Sequence, residues 1–211
     1  MFSLLCSFAS AKAEEWHLKK EEDGIKVYTG TSPKPNIKAV KVECEINTSL
    51  SALAALLFDA KAHEQWIYNT SISYEVERLN KQEQIYYSEL EMPWPLSNRD
   101  IVIHLKVEQD AATHVMTVTA TATKGYVKEI KDKVRVVSSQ AIWKVTPLAA
   151  DKVKIDYVGW ANPGGIVPGW AVNLVATKGP FETFKRLRTL VTKPVYQAAN
   201  VSFIKDFKQP G

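Results

Sequence analysis

Arg99 begins a run in which Arg99, Ile101, Ile103, Leu105 and Val107 share one parity, while Val102, His104, Lys106 and Glu108 share the other. Successive side chains of a strand point to opposite faces. A regular strand from Arg99 therefore aims the guanidinium into an apolar interior and Asp100 away from it. A buried cation is very costly unless it finds a partner. Its planar fork of donors suits a phosphate or a carboxylate. Two partners are open on the sequence: the anionic group of a bound molecule, or an internal carboxylate such as Glu89 or Glu91. Trp143 and Tyr157 carry the inward parity in their own runs. A π face there can meet an apolar ring or a quaternary ammonium, with plain core packing as the alternative. Ile101, Ile103, Met116 and Val118 complete the candidate wall.

Other chemistry is thin. His17, His63, His104 and His114 have no metal-ligand or triad spacing, and the chain carries no G-x-S-x-G elbow, H-E-x-x-H, phosphate loop or G-x-G-x-x-G. Cys6 and Cys44 are too few for a disulfide framework and lack the paired spacing of a zinc site. No metal, no cofactor and no catalysis are expected.

Positioning an inward arginine and two inward aromatics takes a sheet covered on one face. Ile37 to Thr48 alternates, with Val40, Val42, Cys44 and Ile46 on one side. Ser49 to Ala60 changes to helical spacing, with Ser49 or Ser51 as its N-cap. Gly24 to Gly30 reads as a short strand, and six more are placed near 70–80, 83–92, 99–109, 114–124, 134–147 and 151–161. In the fifth of these Val137, Ala141, Trp143 and Val145 line up. Hairpin spacing makes the sheet mostly antiparallel. The cover is a long helix after Pro168, whose Trp170, Leu174, Thr177, Phe181, Phe184 and Val191 recur on one face, with a kink expected at Pro180. A second helical piece is expected from Pro194 to Asp206. One helix is too narrow to fill the hollow of so many strands, so a cavity is expected between helix and sheet, with tight aromatic packing as the competing outcome.

The 211 residues are 45% hydrophobic and 24% charged, an ordinary globular balance for a single domain, placed here at 14–207. No apolar run is long enough to span a membrane. A net charge of only +4 argues against a nucleic-acid partner. Between Lys178 and Lys208 seven basic side chains face two acidic ones, a local +5 that leaves −1 for the rest. Such a C-terminal segment either touches an anionic membrane transiently or is an ordinary solvated helix face. Residues 1–13 combine an apolar run, Phe2 to Phe8, with Ala11-Lys12-Ala13, in the manner of a secretory signal whose start lies upstream or of a short docking helix. The reading leans to an exported monomer, with the cytoplasm as the alternative.

Three stretches carry a resemblance. Trp16 with Gly24-Ile25-Lys26-Val27-Tyr28 is similar to the opening of the START lipid-transfer domain family. Met92-Pro93-Trp94-Pro95-Leu96-Ser97-Asn98-Arg99-Asp100 is similar to its proline–aromatic–proline segment ending in Arg-Asp. Asn162-Pro163-Gly164-Gly165-Ile166-Val167-Pro168-Gly169-Trp170-Ala171-Val172-Asn173 is similar to its Pro-Gly-Gly segment, with Asn162 where an acidic residue is common. The resemblance implies an α+β helix-grip fold, a curved antiparallel sheet wrapped around the C-terminal helix. It also implies an internal hydrophobic cavity for one sterol, phospholipid or similar lipid, gated by that helix, for transfer or sensing. Arg99, Trp143, Tyr157, Ile101, Ile103, Met116, Val118, Trp170, Leu174 and Phe181 are the candidate ligand contacts. Gly164, Gly165 and Pro168 are the candidate gate, an ordinary tight turn being the alternative. Trp94 is read as a structural plug or a mouth residue. Polyketide cyclases and aromatases share the fold, so an enzyme of that kind is the second reading.

Overall fold

The computed structural model of the chain describes residues 15–35, 37–165 and 167–207, and at 169–171 and 173–175 the backbone alone. The segment 1–13, read above as a signal or docking helix, lies outside them. In chain order come β1 (His17–Glu22), β2 (Ile25–Thr31), β3 (Lys38–Ile46), α1 (Leu50–Phe58), a 3₁₀ turn (Ala60–Ala62), α2 (His63–Trp66), β4 (Thr70–Asn80), β5 (Glu83–Leu90) and β6 (Arg99–Gln109). Then follow β7 (Met116–Ala122), β8 (Val134–Val136), β9 (Ser138–Ala149), β10 (Lys152–Asn162), α3 (Gly169–Leu190) and α4 (Pro194–Gln197). The sheet runs β1-β2-β3-β10-β9-β7-β6-β5-β4, antiparallel throughout, with β8 added in parallel to β6. The α1–α2 connection carries the chain from the β3 side of this order to the far edge at β4.

Two strand boundaries differ from the sequence pattern, each for a physical reason. β1 lies where no parity is visible, because Lys19-Lys20-Glu21-Glu22 has no apolar alternation; pairing with β2 supplies the strand. The run 134–147, expected as one strand, is two. β8 pairs with β6, and β9 with β7 and β10. The change of partner falls at Val137, which is therefore 46% exposed instead of inward with Trp143. The second helical piece is also shorter than expected, with only α4 helical. The chain beyond it turns to bury Ile204 and to place the Asp206 carboxylate on the Ser51 N–H at the start of α1.

α1 is apolar nearly all round and buried, with Ser49 Oγ accepting from the Ala52 N–H as the N-cap. α3 runs continuously through Pro180. Phe181, Phe184, Leu187, Leu190 and Val191 of its second half are buried with α1 against Val42, Cys44 and Ile46 of β3. Each such side chain stabilises the fold by roughly 1.5–3 kcal/mol. This packing fills one end of the sheet's concave face. The other end lies under the first half of α3 and is not filled.

Candidate ligand cavity

The unfilled end is a cavity of about 620 Å³. Arg99, Ile101, Ile103 and Leu105 of β6 line it at every second position, from its mouth to its floor. Antiparallel pairing sets Ala120 opposite Leu105, Ala141 opposite Ala120 and Gly159 opposite Ala141, so the small floor residues come from three adjacent strands, β7, β9 and β10. Val172, Ala176, Gly179, Pro180, Thr183 and Phe184 of α3 form the roof. The mouth is bounded by Met92 and Pro93, by Ile37 and Lys38, and by Pro163, Gly165 and Val167.

Aromatic rings stand along the inner wall, all in edge contact except Trp143 with Phe184, which are tilted by 35°. Trp143 lies 5.2 Å from Tyr157 and 4.9 Å from Phe184, ring centre to ring centre. Trp66 bridges Trp143 at 6.3 Å to His63 at 5.4 Å, and His63 meets Tyr86 at 4.7 Å. Gly159 is part of this arrangement: a Cβ there would lie 2.3 Å from the Tyr157 phenolic oxygen. Burial pushes the Tyr157 phenol up to about 12 and Tyr86 upward as well, so both stay protonated at neutral pH. His63 is held neutral. Its Nε2 donates to the Leu57 carbonyl at 3.0 Å, its Nδ1 faces Ser73 Oγ, and burial depresses its pKa to about 4.

Arg99 is buried, 4% exposed, at the mouth end of the cavity. Its Nε donates to the Pro163 carbonyl at 3.3 Å, Nη2 to the Gly164 carbonyl at 3.4 Å and Nη1 to the Ser97 carbonyl. Among the described residues no acidic side chain pairs with it. The internal carboxylates considered above are placed otherwise. Glu89 accepts from the Tyr87 hydroxyl and pairs with Lys133, and Glu91 is exposed at the mouth. Burial lowers the Arg99 pKa, yet a guanidinium starts so basic that it stays charged. The cation is thus steadied by carbonyl dipoles and keeps an unneutralised charge beside the hollow.

The opposite face of β6 holds it in place. Asp100, 1% exposed, accepts two hydrogen bonds from the Arg135 guanidinium at 2.9 and 2.8 Å, and one from the Tyr87 hydroxyl at 3.2 Å. Arg135 sits on β8 directly opposite Asp100, and Val134 opposite Arg99. A salt bridge outside the cavity therefore pins the backbone that presents the arginine inside it.

Of the other residues singled out from sequence, Trp143, Tyr157, Ile101, Ile103 and Val118 are at the wall. Met116 and Phe181 are not. Met116 lies two residues beyond Val118 in the filled core, and Phe181 packs in that core under the Lys20 ammonium. The side chains of Trp170 and Leu174 lie outside the described ones. Gly165 lines the mouth, Gly164 gives its carbonyl to Arg99, and Pro168 caps α3 without lining the cavity. Trp94 is no plug: it is 91% exposed on the turn between Met92 and Arg99. His63, Trp66 and Tyr86 carry no sequence signal, since α2 is too short for periodicity and β5 shows apolar residues on both faces.

The family model that matches the chain is described as START domain and covers residues 4–195. An uncharacterised protein of Pseudomonas aeruginosa is 33% identical over 87% of this chain and 90% of its own length. Human phosphatidylcholine transfer protein is 27% identical over 78% of each. The crystal structure of a STAR-related lipid transfer protein fragment from Xanthomonas axonopodis superposes with a TM-score of 0.76 at 32% identity, covering 84% of this chain and 99% of the fragment.

Proposed function

Because the chain belongs to the START domain family, we propose that it holds one sterol, phospholipid or similar lipid under α3, to carry or to sense it. The observation that supports this most is the hollow itself: apolar walls, with one buried guanidinium that no carboxylate neutralises among the described residues. Burying ~300 Å² of apolar ligand surface contributes about 7 kcal/mol before the costs of binding, so a longer lipid reaches micromolar affinity with no chemistry at all. Human phosphatidylcholine transfer protein is named for a cargo of this class. Gly164 and Gly165, both at positive φ, give the loop before α3 the freedom of a gate, and Pro168 limits it at the helix start. Lys178, Lys185, Arg186 and Lys193 are exposed on α3 and just after it, where they can meet an anionic membrane while the lipid enters. The working unit is a monomer.

A carrier fits better than a cyclase. Acid–base work on a reactive chain needs converging groups with free protons or lone pairs. Both His63 nitrogens are engaged, and the Tyr86 and Tyr157 phenols, held protonated, can donate a proton but not take one. The test is mass spectrometry of lipid extracted from the purified protein, beside its Arg99→Leu variant. One lipid per chain is expected for the parent, with loss in the variant. No lipid in either, with turnover of a polyketide chain, would reverse the reading.

A further inference from the structure

We propose that a cleft between β2 and β3 is a second binding site, which takes a small molecule carrying one carboxylate and a short apolar part. It does not rest on the lipid reading: none of the residues lining this cleft, of about 550 Å³, lines the hollow under α3.

The cleft arises where two strands part. β2 and β3 pair from Thr31–Lys38 as far as Lys26–Glu43. Past that pair β2 bends away to its turn with β1, where Asp23 and Gly24 both have positive φ, while β3 runs on beside β10 to Ile46. One edge of Cys44–Ile46 therefore has no strand beside it among the described residues. Glu43, Glu45 and Lys154 rim the opening on the convex side of the sheet. Arg188 of α3 and Thr192 just after it close it from the concave side.

Charge singles out one of these residues. Lys26 pairs with Glu21, Lys154 with Asp156, Asp23 with Lys185, Glu43 with Lys41 and Glu45 with Lys152. Arg188 has no carboxylate partner among the described residues; its Nη1 donates to the Asp23 carbonyl at 2.8 Å. Its Nε is buried with no acceptor, and Nη2, on the same edge of the fork, bonds no described residue. A buried donor left unpaired is a standing cost. The two oxygens of a carboxylate match that edge of a guanidinium. The charge already reaches the Cys44 thiol on the cleft wall, where it opposes the upward push of burial.

Three features narrow the class. Glu43 and Glu45 on the rim repel a second negative charge, so a carboxylate monoanion is favoured over a phosphate dianion. Gly24, Cys44 and the methylene stems of Lys26 and Lys154 offer an apolar wall to a short hydrocarbon part. The free edge of β3 is shorter than the roughly five or six residues of a usual strand, which disfavours an added peptide strand.

The experiment is proton–nitrogen correlation NMR of the full chain, titrated at neutral pH with butyrate, its uncharged amide butyramide, and methyl phosphate. Butyrate is expected to give saturable shifts at the Gly24 and Glu45 amides and at the Arg188 Nε–H, while the Ala120 and Gly159 amides in the hollow stay in place. Butyramide and methyl phosphate bind at least about tenfold more weakly. Arg188→Gln abolishes the butyrate shifts at Gly24 and Glu45. Glu45→Gln, at an exposed position that leaves Arg188 intact, tightens butyrate about threefold because one repelling charge is gone. Methyl phosphate acting as strongly as butyrate would mean an adventitious anion only and overturn the proposal. So would the absence of saturable shifts, identical shifts in Arg188→Gln, or no tightening in Glu45→Gln, the last serving also where Arg188→Gln fails to fold. Shifts confined to Ala120 and Gly159 would overturn the second site and leave the carrier reading standing.

Discussion

Three carbonyl oxygens hold Arg99 where an acidic side chain would have cancelled its charge, which leaves that charge for the anionic group of the proposed lipid. His63 shows the same logic in reverse, as a titratable group kept neutral at the aromatic wall. Its imidazole takes up a proton near 6.5 when the chain is unfolded and only near 4 when it is folded. Between those values the unfolded state binds more protons, so stability falls as pH drops from 6.5 to 4 and is fully present above. The loss from this one group is about 3 kcal/mol. Equilibrium unfolding followed at pH 7 and pH 4 is expected to show that extra loss in the parent and not in His63→Gln. Equal losses in both would assign the acid sensitivity to other groups. Cys44 makes a simpler case. Burial pushes its thiol up to about 12, so it is expected to resist a thiol reagent in the native protein and to react fully on denaturation. Fast native labelling would mean that β3 opens readily.

At the scale of elements, β8 and the loop before α3 jointly fix the mouth. Asp100→Ala leaves the Arg135 guanidinium partly buried without its carboxylate, a loss of about 3–5 kcal/mol that Asp100→Ala with Arg135→Met should largely relieve. Chemical denaturation of the single and double variants measures this, and an additive double would remove the pair from the account. Gly164 and Gly165 differ in a way that can be measured. Both have positive φ, near +64° and +60°, so alanine costs about 1–2 kcal/mol at either. Only at Gly164 would the new methyl also meet Val134, at 2.9 Å, and displace the carbonyl that holds Arg99. Gly164→Ala is therefore expected to cost more stability than Gly165→Ala and to weaken lipid binding more; the reverse order would count against the proposed gate. Much of this architecture is legible in the sequence, because alternation over Arg99–Val107 and Val118–Ala122 survives into paired strands. The floor is not legible. Ala120, Ala141 and Gly159 are small residues on three runs, and only the order β10-β9-β7-β6 brings them together. Likewise the parity of Val137 is lost where one strand ends and another begins with new partners.

Across the whole molecule, apolar capacity and basic charge lie on one helix. The first half of α3 roofs the cavity, and Lys178, Lys185 and Arg186 are exposed along it. Loading from anionic vesicles should slow as salt rises from low ionic strength through 0.1 M, where the screening length is ~10 Å, while loading from neutral vesicles stays constant. Rates independent of salt on both surfaces would take this helix out of membrane contact. The filled end of the sheet carries stability and the hollow end is the proposed lipid site, so variants at Leu187 should unfold the protein and variants at Ala120 should alter what it holds. The most direct measurement is a crystal structure of the protein after incubation with vesicles. The account expects continuous lipid density from the Arg99 guanidinium to Leu105. Side chains collapsed into that space, or lipid bound elsewhere while it holds only solvent, would contradict it.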